Sequence, residues 1–239
     1  MALLTGLHFQ FTLQFLLFFL GAQNAEALEP LSKQVRVVFI GDSIAAGYGV
    51  LKEESFPERL EQLLSPRESK KNIHLIVTNA GIAGSLSSSA TSRLRYYLKL
   101  QPQIMVLELG GNDVFKGTPV AVIKKNLAGA IDLALKNKIK VLLLGMQIYT
   151  NFGESYTHAF AKVYTDLAHE KKVELMPFLL EGVALDKSLM QSDQKHPNPK
   201  GHQIIAENLV KYLEPMIESV TSGATSNSPL PNSILPNPK

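Results

Sequence analysis

Two hydrophobic periods alternate along the chain. Residues 35–40, 73–77, 104–109 and 140–144 are short, nearly continuous apolar runs, and a weaker fifth lies around 173–176. Runs of that length, without alternation of apolar and polar positions, suit strands of a sheet covered on both faces. Between them the period lengthens. Ala90, Leu94, Tyr97 and Leu98 share one helical face. Val120, Ile123, Leu127, Ala130, Ile131 and Ala134 form a second apolar stripe. Thr118 followed by Pro119 reads as an N-cap with proline in the first turn. Asn198 and Pro199 repeat that start signal before a last stripe of Ile205, Leu209, Tyr212, Leu213, Met216 and Ile217, whose final turns Pro215 is expected to kink or shorten. Strands alternating with helices through short connections predict an α/β fold, with a parallel five-stranded sheet between two helical layers.

The two ends of the chain stand outside this alternation. Residues 11–20 read FTLQFLLFFL, and small residues follow, with Ala25-Glu26-Ala27 as a cleavage site. This is the form of a secretory signal over residues 1–27, although only His8, and no Lys or Arg, precedes the apolar run. The run is too short, and too interrupted by Gln14, to span a bilayer comfortably. The reading is a periplasmic or secreted protein, with a retained membrane anchor as the alternative. Residues 221–239 are rich in Ser, Asn and Pro, and their only charge is Lys239. Such a segment buries too little apolar surface to offset the entropy of ordering it, so it is read as a disordered tail. One folded domain, residues 33–219, lies between. The chain has no cysteine, which excludes disulfides and lipid attachment at a terminal Cys. Lys and Arg number 24 against 21 Asp and Glu, and they are scattered, with Lys70-Lys71 and Lys171-Lys172 as isolated pairs. A nucleic-acid surface needs a denser basic stripe, so no such partner is expected.

An open parallel sheet carries its ligand site beyond the carboxyl ends of its strands. The first strand is followed by Gly41-Asp42-Ser43, the second by Asn79-Ala80-Gly81-Ile82-Ala83-Gly84, and the third by Gly110-Gly111-Asn112-Asp113. Side by side, these ends would form a pocket lined by N–H donors and one serine hydroxyl. A hydroxyl needs a base to act as a nucleophile, and Asp193-Gln194-Lys195-His196 supplies one. Three residues apart on a turn, the Asp193 carboxylate is placed to orient the His196 ring, whose other nitrogen would face Ser43. The Ser43 N–H, the Gly84 N–H and the Asn112 amide are candidates to stabilise a developing oxyanion.

The set Gly41-Asp42-Ser43, Gly84, Gly110-Gly111-Asn112-Asp113 and Asp193-x-x-His196 resembles the four motif blocks of the SGNH (GDSL) hydrolases, in the same order. In particular it is similar to the bacterial acyl-CoA thioesterase I, protease I and lysophospholipase type. Stretches such as Glu108-Leu109-Gly110-Gly111-Asn112-Asp113, Met146-Gln147-Ile148 and residues 190–198 carry that likeness. The resemblance implies a three-layer, flavodoxin-like fold. It implies a triad of Ser43, Asp193 and His196, and an oxyanion hole of Ser43, Gly84 and Asn112. The expected activity is a monomeric hydrolase of small-molecule carboxylic esters or thioesters, working through an acyl-enzyme without a cofactor. A carbohydrate O-acetyl esterase on the same residues, and a non-catalytic acyl-binding module, are the alternatives.

Plainer readings stand beside these. Gly41-Asp42-Ser43 alone also fits a helix start with Asp42 or Ser43 as cap. The glycine spacing does not match G-x-G-x-x-G, and no G-K-[ST] follows, so no phosphate loop is read. Gly84 and Asn112 are, taken singly, ordinary turn residues. Asp113 is read as bracing its loop, and Glu108 as paired with a local donor and without a catalytic role. His196 and His202 do not have the spacing of a metal site, and His202 is read as a surface or packing residue of the last helix. No partner is assigned to His74, His158 or His169. The segments 114–118 and 149–153 follow strand ends where loops shape pockets. There Phe115, Tyr149 and Phe152 are candidates to line an acyl site, with loop packing as the plain alternative.

Overall fold

The computed structural model describes residues 32–148 and 152–222. Tyr149, the segment read as a signal and residues 223–239 lie outside the described residues. Five strands make one wholly parallel sheet: β1 (Lys33–Gly41), β2 (Ile73–Asn79), β3 (Ile104–Glu108), β4 (Lys140–Leu144) and β5 (Glu174–Met176). Their order is β2-β1-β3-β4-β5. The chain therefore winds outward from β1 in both directions, and the switch point falls between β1 and β3. Register places Gly41 opposite Glu108, so β1 and β3 end level, and Asn79 opposite Phe39, so β2 ends two residues sooner beside them. That alignment brings three loops to one edge.

Among the described residues seven α-helices accompany the strands: α1 (Ser43–Ala46), α2 (Phe56–Ser69), α3 (Ala90–Tyr97), α4 (Gly111–Phe115), α5 (Val120–Lys136), α6 (Glu154–Lys171) and α7 (Pro199–Thr221). Strand residues send alternate side chains to two cores. Val38, Ile40, Met105, Leu107, Val141 and Leu143 pack under α3, α5 and α6. Val37, Phe39, Ile104, Val106, Leu142 and Leu144 pack under α2 and α7. All five residues of β3 are buried, as a central strand covered on both faces requires. Phe39 is fully buried and meets the Phe56 ring edge-on at 5.7 Å. Burying one such side chain contributes about 1.5–3 kcal/mol.

The helix starts differ in detail from the sequence reading. At α5, Pro119 rather than Thr118 holds the N-cap position, with extended torsions (φ −57°, ψ 136°), and the first helical residue is Val120. Thr118 is instead drawn into the preceding turn. Its N–H donates to the Asp113 carbonyl at 2.9 Å, and its carbonyl accepts from the Tyr156 hydroxyl at 2.7 Å. Pro215 lies inside α7 without ending it, and the helix runs on to Thr221. Burial of Leu213, Met216 and Ile217 against the sheet holds those last turns while Pro215 faces solvent. Asn198 does cap α7, accepting from the N–H groups of Lys200 and Gly201 at 3.0 and 3.1 Å.

Candidate active site

The adjacent ends of β1, β2 and β3 carry the Ser43, Gly84 and Asn112 blocks, and the loop before α7 carries Asp193 and His196. Just past β1, Asp42 caps the four-residue helix α1, its Oδ1 accepting from the Ile44 N–H at 3.0 Å. The capping role that local sequence suggests is thus filled by Asp42, and Ser43 follows as the first helical residue. The N–H of Ser43 stands where a helix has no internal acceptor. Gly47 closes the turn in the left-handed region (φ 71°), which lets the chain reverse at once.

The Ser43 Oγ lies 2.8 Å from His196 Nε2, and His196 Nδ1 lies 2.6 Å from Asp193 Oδ2. The other oxygen of Asp193 accepts from the N–H groups of Lys195 and His196 at 2.9 and 3.1 Å, so the acid also shapes the turn that bears the imidazole. Partial burial pushes the Asp193 carboxyl up. The bonds from His196 and the two N–H groups outweigh that and hold it at about 2. With Asp193 ionised, Nδ1 carries the ring proton, and Nε2 is left as an acceptor for the serine hydroxyl.

Two ties fix this loop against the serine. Met190 and Pro197 form an isolated antiparallel bridge at the base of the loop. The Gln191 side-chain amide donates to the Tyr48 carbonyl at 2.7 Å and to the Pro197 carbonyl at 2.9 Å, which joins the nucleophile turn to the histidine turn. Gly49 (φ 79°) sits so close to the Gln191 amide that a β-carbon there would strike it. The Tyr48 ring lies against His196, with centroids 4.9 Å apart. Under the strand ends, Arg93 of α3 donates to the Gly41 carbonyl at 2.8 Å and to the Ala80 carbonyl, spanning β1 and the loop after β2. Sequence reading assigned no part to Gln191 or Arg93.

Gly84 lies in the loop after β2 with φ 76° and nothing within 4 Å of where its β-carbon would stand. Among the described residues its N–H has no acceptor. The Asn112 amide of α4 donates to Asp42 Oδ2 and to the Ser85 carbonyl, each at 3.1 Å, so it connects the serine turn with the Gly84 loop. Asp113 points the other way, into the protein. Its two oxygens accept from the Ser87 N–H and hydroxyl, both at 2.7 Å, which braces the loop as expected of it. Glu108 has the local donor anticipated for it, the Asp42 N–H at 2.9 Å.

Phe115 and Phe152 meet edge to face at 5.8 Å, and Lys195 stands over the Phe115 ring at 5.2 Å, which brings the aromatic pair alongside the His196 loop. Phe115 is 62% exposed. His202 is buried on α7, as a packing residue, with its ring stacked on Phe56. Among the described residues no group of three or more His, Cys, Asp or Glu side chains is placed to hold a metal ion.

Known proteins are similar to this chain in sequence and fold. Residues 39–204 match the GDSL-like Lipase/Acylhydrolase family. The chain is 35% identical to Esterase TesA of Pseudomonas aeruginosa over 182 residues, covering 76% of this chain and 89% of that one. It is 31% identical to Thioesterase 1/protease 1/lysophospholipase L1 of Escherichia coli (strain K12) over 210 residues, covering 87% of this chain and 95% of that one. A crystal structure of TesA, 35% identical, superposes with a TM-score of 0.69 over 76% of this chain and 99% of that one.

Proposed function

The chain belongs to the GDSL-like lipase/acylhydrolase family, and from that premise we propose that it hydrolyses carboxylic esters and thioesters with Ser43 as nucleophile. The observation that carries this reading is the unbroken chain from Ser43 Oγ to His196 to Asp193, at 2.8 and 2.6 Å. His196 takes the Ser43 proton as the oxygen attacks the acyl carbonyl, and Asp193 steadies the imidazolium that forms. The N–H groups of Ser43 and Gly84 and the Asn112 amide receive the charge that develops on the carbonyl oxygen. Collapse of the tetrahedral intermediate expels the alcohol or thiol, which takes the proton back from His196, and leaves an acyl-enzyme. Water repeats the sequence and frees the acid. No step calls for a cofactor.

The substrate reading rests on the rim of the site. Phe115 and Phe152 offer an apolar wall to an acyl chain, and the likeness to a thioesterase and lysophospholipase supports acyl thioesters and lysophospholipids beside simple esters. An O-acetyl esterase would have no use for that wall, so rates on acyl esters of graded chain length separate the two. Residues 11–27 support export from the cytoplasm as a cleaved signal. No helix among the described residues is long and apolar enough to cross a membrane.

The decisive experiment is Ser43→Ala. The variant is expected to lose turnover of a chromogenic acyl ester and labelling by a fluorophosphonate while keeping its thermal unfolding midpoint. Near-wild-type turnover in the variant would sink the proposal. Failure of the wild type to take the label would favour a binding module instead.

A further inference from the structure

Beneath the serine turn lies a carboxyl group that acyl transfer does not consume. Glu108, the last residue of β3, is fully buried. Its Oε2 accepts the Asp42 N–H at 2.9 Å, and its Oε1 has no hydrogen-bond partner among the described residues. An ionised carboxylate with one bare oxygen in an apolar interior is costly. A protonated one has an O–H to give, and Asp42, whose N–H already meets this carboxyl at 2.9 Å, is the neighbouring residue with a carboxylate to receive it. Gly41 leaves room for the Glu108 carboxyl, since a β-carbon there would collide with Ala45 Cβ and with Glu108 Oε2.

We propose that Glu108 is held as a neutral acid that donates its proton to Asp42, and that it thereby positions the Ser43 turn and the Asn112 amide for oxyanion binding. The positions of the other groups give this arrangement its purpose. Asp42 uses Oδ1 to cap α1 and Oδ2 to accept from Asn112, so its carboxylate stands beside the place where negative charge develops. A second carboxylate at Glu108 would oppose that charge. It would also make Asp42 a stronger competitor for the Asn112 hydrogen that the oxyanion needs. A shared proton removes one charge and weakens Asp42 as an acceptor. The titratable and charged groups around the pair are Arg93 from α3, Tyr164 from α6 and, beyond Asp42, His196. Arg93 spends its hydrogens on the Gly41 and Ala80 carbonyls, and the Tyr164 hydroxyl spends its own on the Leu109 carbonyl at 3.1 Å. Arg93 acts on the pair through its charge, but among the described residues neither group donates a hydrogen bond to Glu108. Burial first, and then the charge of Asp42, hold Glu108 well above the ordinary carboxyl range.

The proposal rests on Asn112 serving the oxyanion, and its test separates the two ideas. Infrared spectra of the full chain, with isotope-labelled glutamate, should show a protonated-carboxyl carbonyl band at neutral pH that is missing in Glu108→Gln. Absence of the band in the wild type overturns the proposal and leaves the role of Ser43 standing, because the band needs no turnover. An active Ser43→Ala would sink the catalytic reading and leave the band untouched. In kinetics, Glu108→Gln keeps an acceptor for the Asp42 N–H and a donor for its carboxylate, so it should retain most of its rate at neutral pH. It should also lack the alkaline decline of kcat that ionisation of Glu108 is expected to impose on the wild type. Glu108→Leu should lower kcat on the order of tenfold to a hundredfold, with a smaller change in KM. A Gln variant as impaired as the Leu variant, or one with an unaltered alkaline decline, overturns the proposal.

Discussion

The gap between Ser43 and His196 is set by side chains that move no proton. Gln191 spans it from below, its two amide hydrogens spent on carbonyls of the serine turn and the histidine turn. Gln191→Ala removes both bonds and lets the turns drift by fractions of an ångström. Displacements of that kind cost reactions far more than they cost folding, so kcat should fall by about tenfold to a hundredfold while KM and the unfolding midpoint change little. Steady-state kinetics beside a melting curve check this, and a variant with unaltered kcat refutes it. Ser43, Asp193 and His196 were legible in the chain because reactive groups belong to few residue types and recur in fixed blocks. Gln191 and Arg93 were not legible, because what they do is donate to main-chain carbonyls. Nothing in a sequence marks which carbonyls will be brought within reach.

Whole elements were legible where their pattern was unbroken. The buried strands and the stripes of α5 and α7 needed only periodicity. Helix α6 buries Phe160, Val163, Tyr164, Leu167 and Ala168, a helical stripe, and α2 buries Phe56, Leu60 and Leu64, yet neither was read. Polar residues between those positions, and Pro57 and Pro66 in α2, dilute the local signal, and tertiary burial decides. Pro215, expected to kink or shorten the last turns, does not shorten them. An interior proline forfeits a hydrogen bond and crowds the preceding turn, but the packing of its neighbours carries α7 through. Because Pro215 is exposed, Pro215→Ala should restore the bond without disturbing the core. The gain, reduced by the greater freedom of the unfolded chain, should be about 1–2 kcal/mol, a rise of several degrees in the melting midpoint. A lower midpoint would show that the proline is needed where it stands.

Over the whole molecule, α7 and α2 cover one face of the sheet and meet at His202, whose Nδ1 accepts the Phe56 N–H at 3.2 Å. Burial, and secondarily the charge of His196, lower this histidine from 6.5 to about 4. Above pH 6.5 both folded and unfolded chains hold it neutral, so it adds no pH dependence. Between 6.5 and about 4 the unfolded chain binds a proton that the fold refuses, and stability declines as pH falls. Below that window the loss levels off, at on the order of 3 kcal/mol. The melting midpoint of the wild type should therefore drop more steeply across this window than that of His202→Gln, and equal slopes would refute the assignment. The overall architecture was legible because strand–helix alternation permits few topologies. The level ending of β1 and β3 was not, since register depends on contacts between distant segments. Finally, the Met190–Pro197 bridge makes the acid–base pair a self-contained cartridge. Asp193 shapes the turn that carries His196, so the pair keeps its internal geometry wherever the loop is set down. An insertion between β5 and Met190 would therefore leave the Asp193–His196 geometry intact, and the proton path would survive as long as Gln191 still docked the cartridge on the Tyr48 carbonyl beside Ser43.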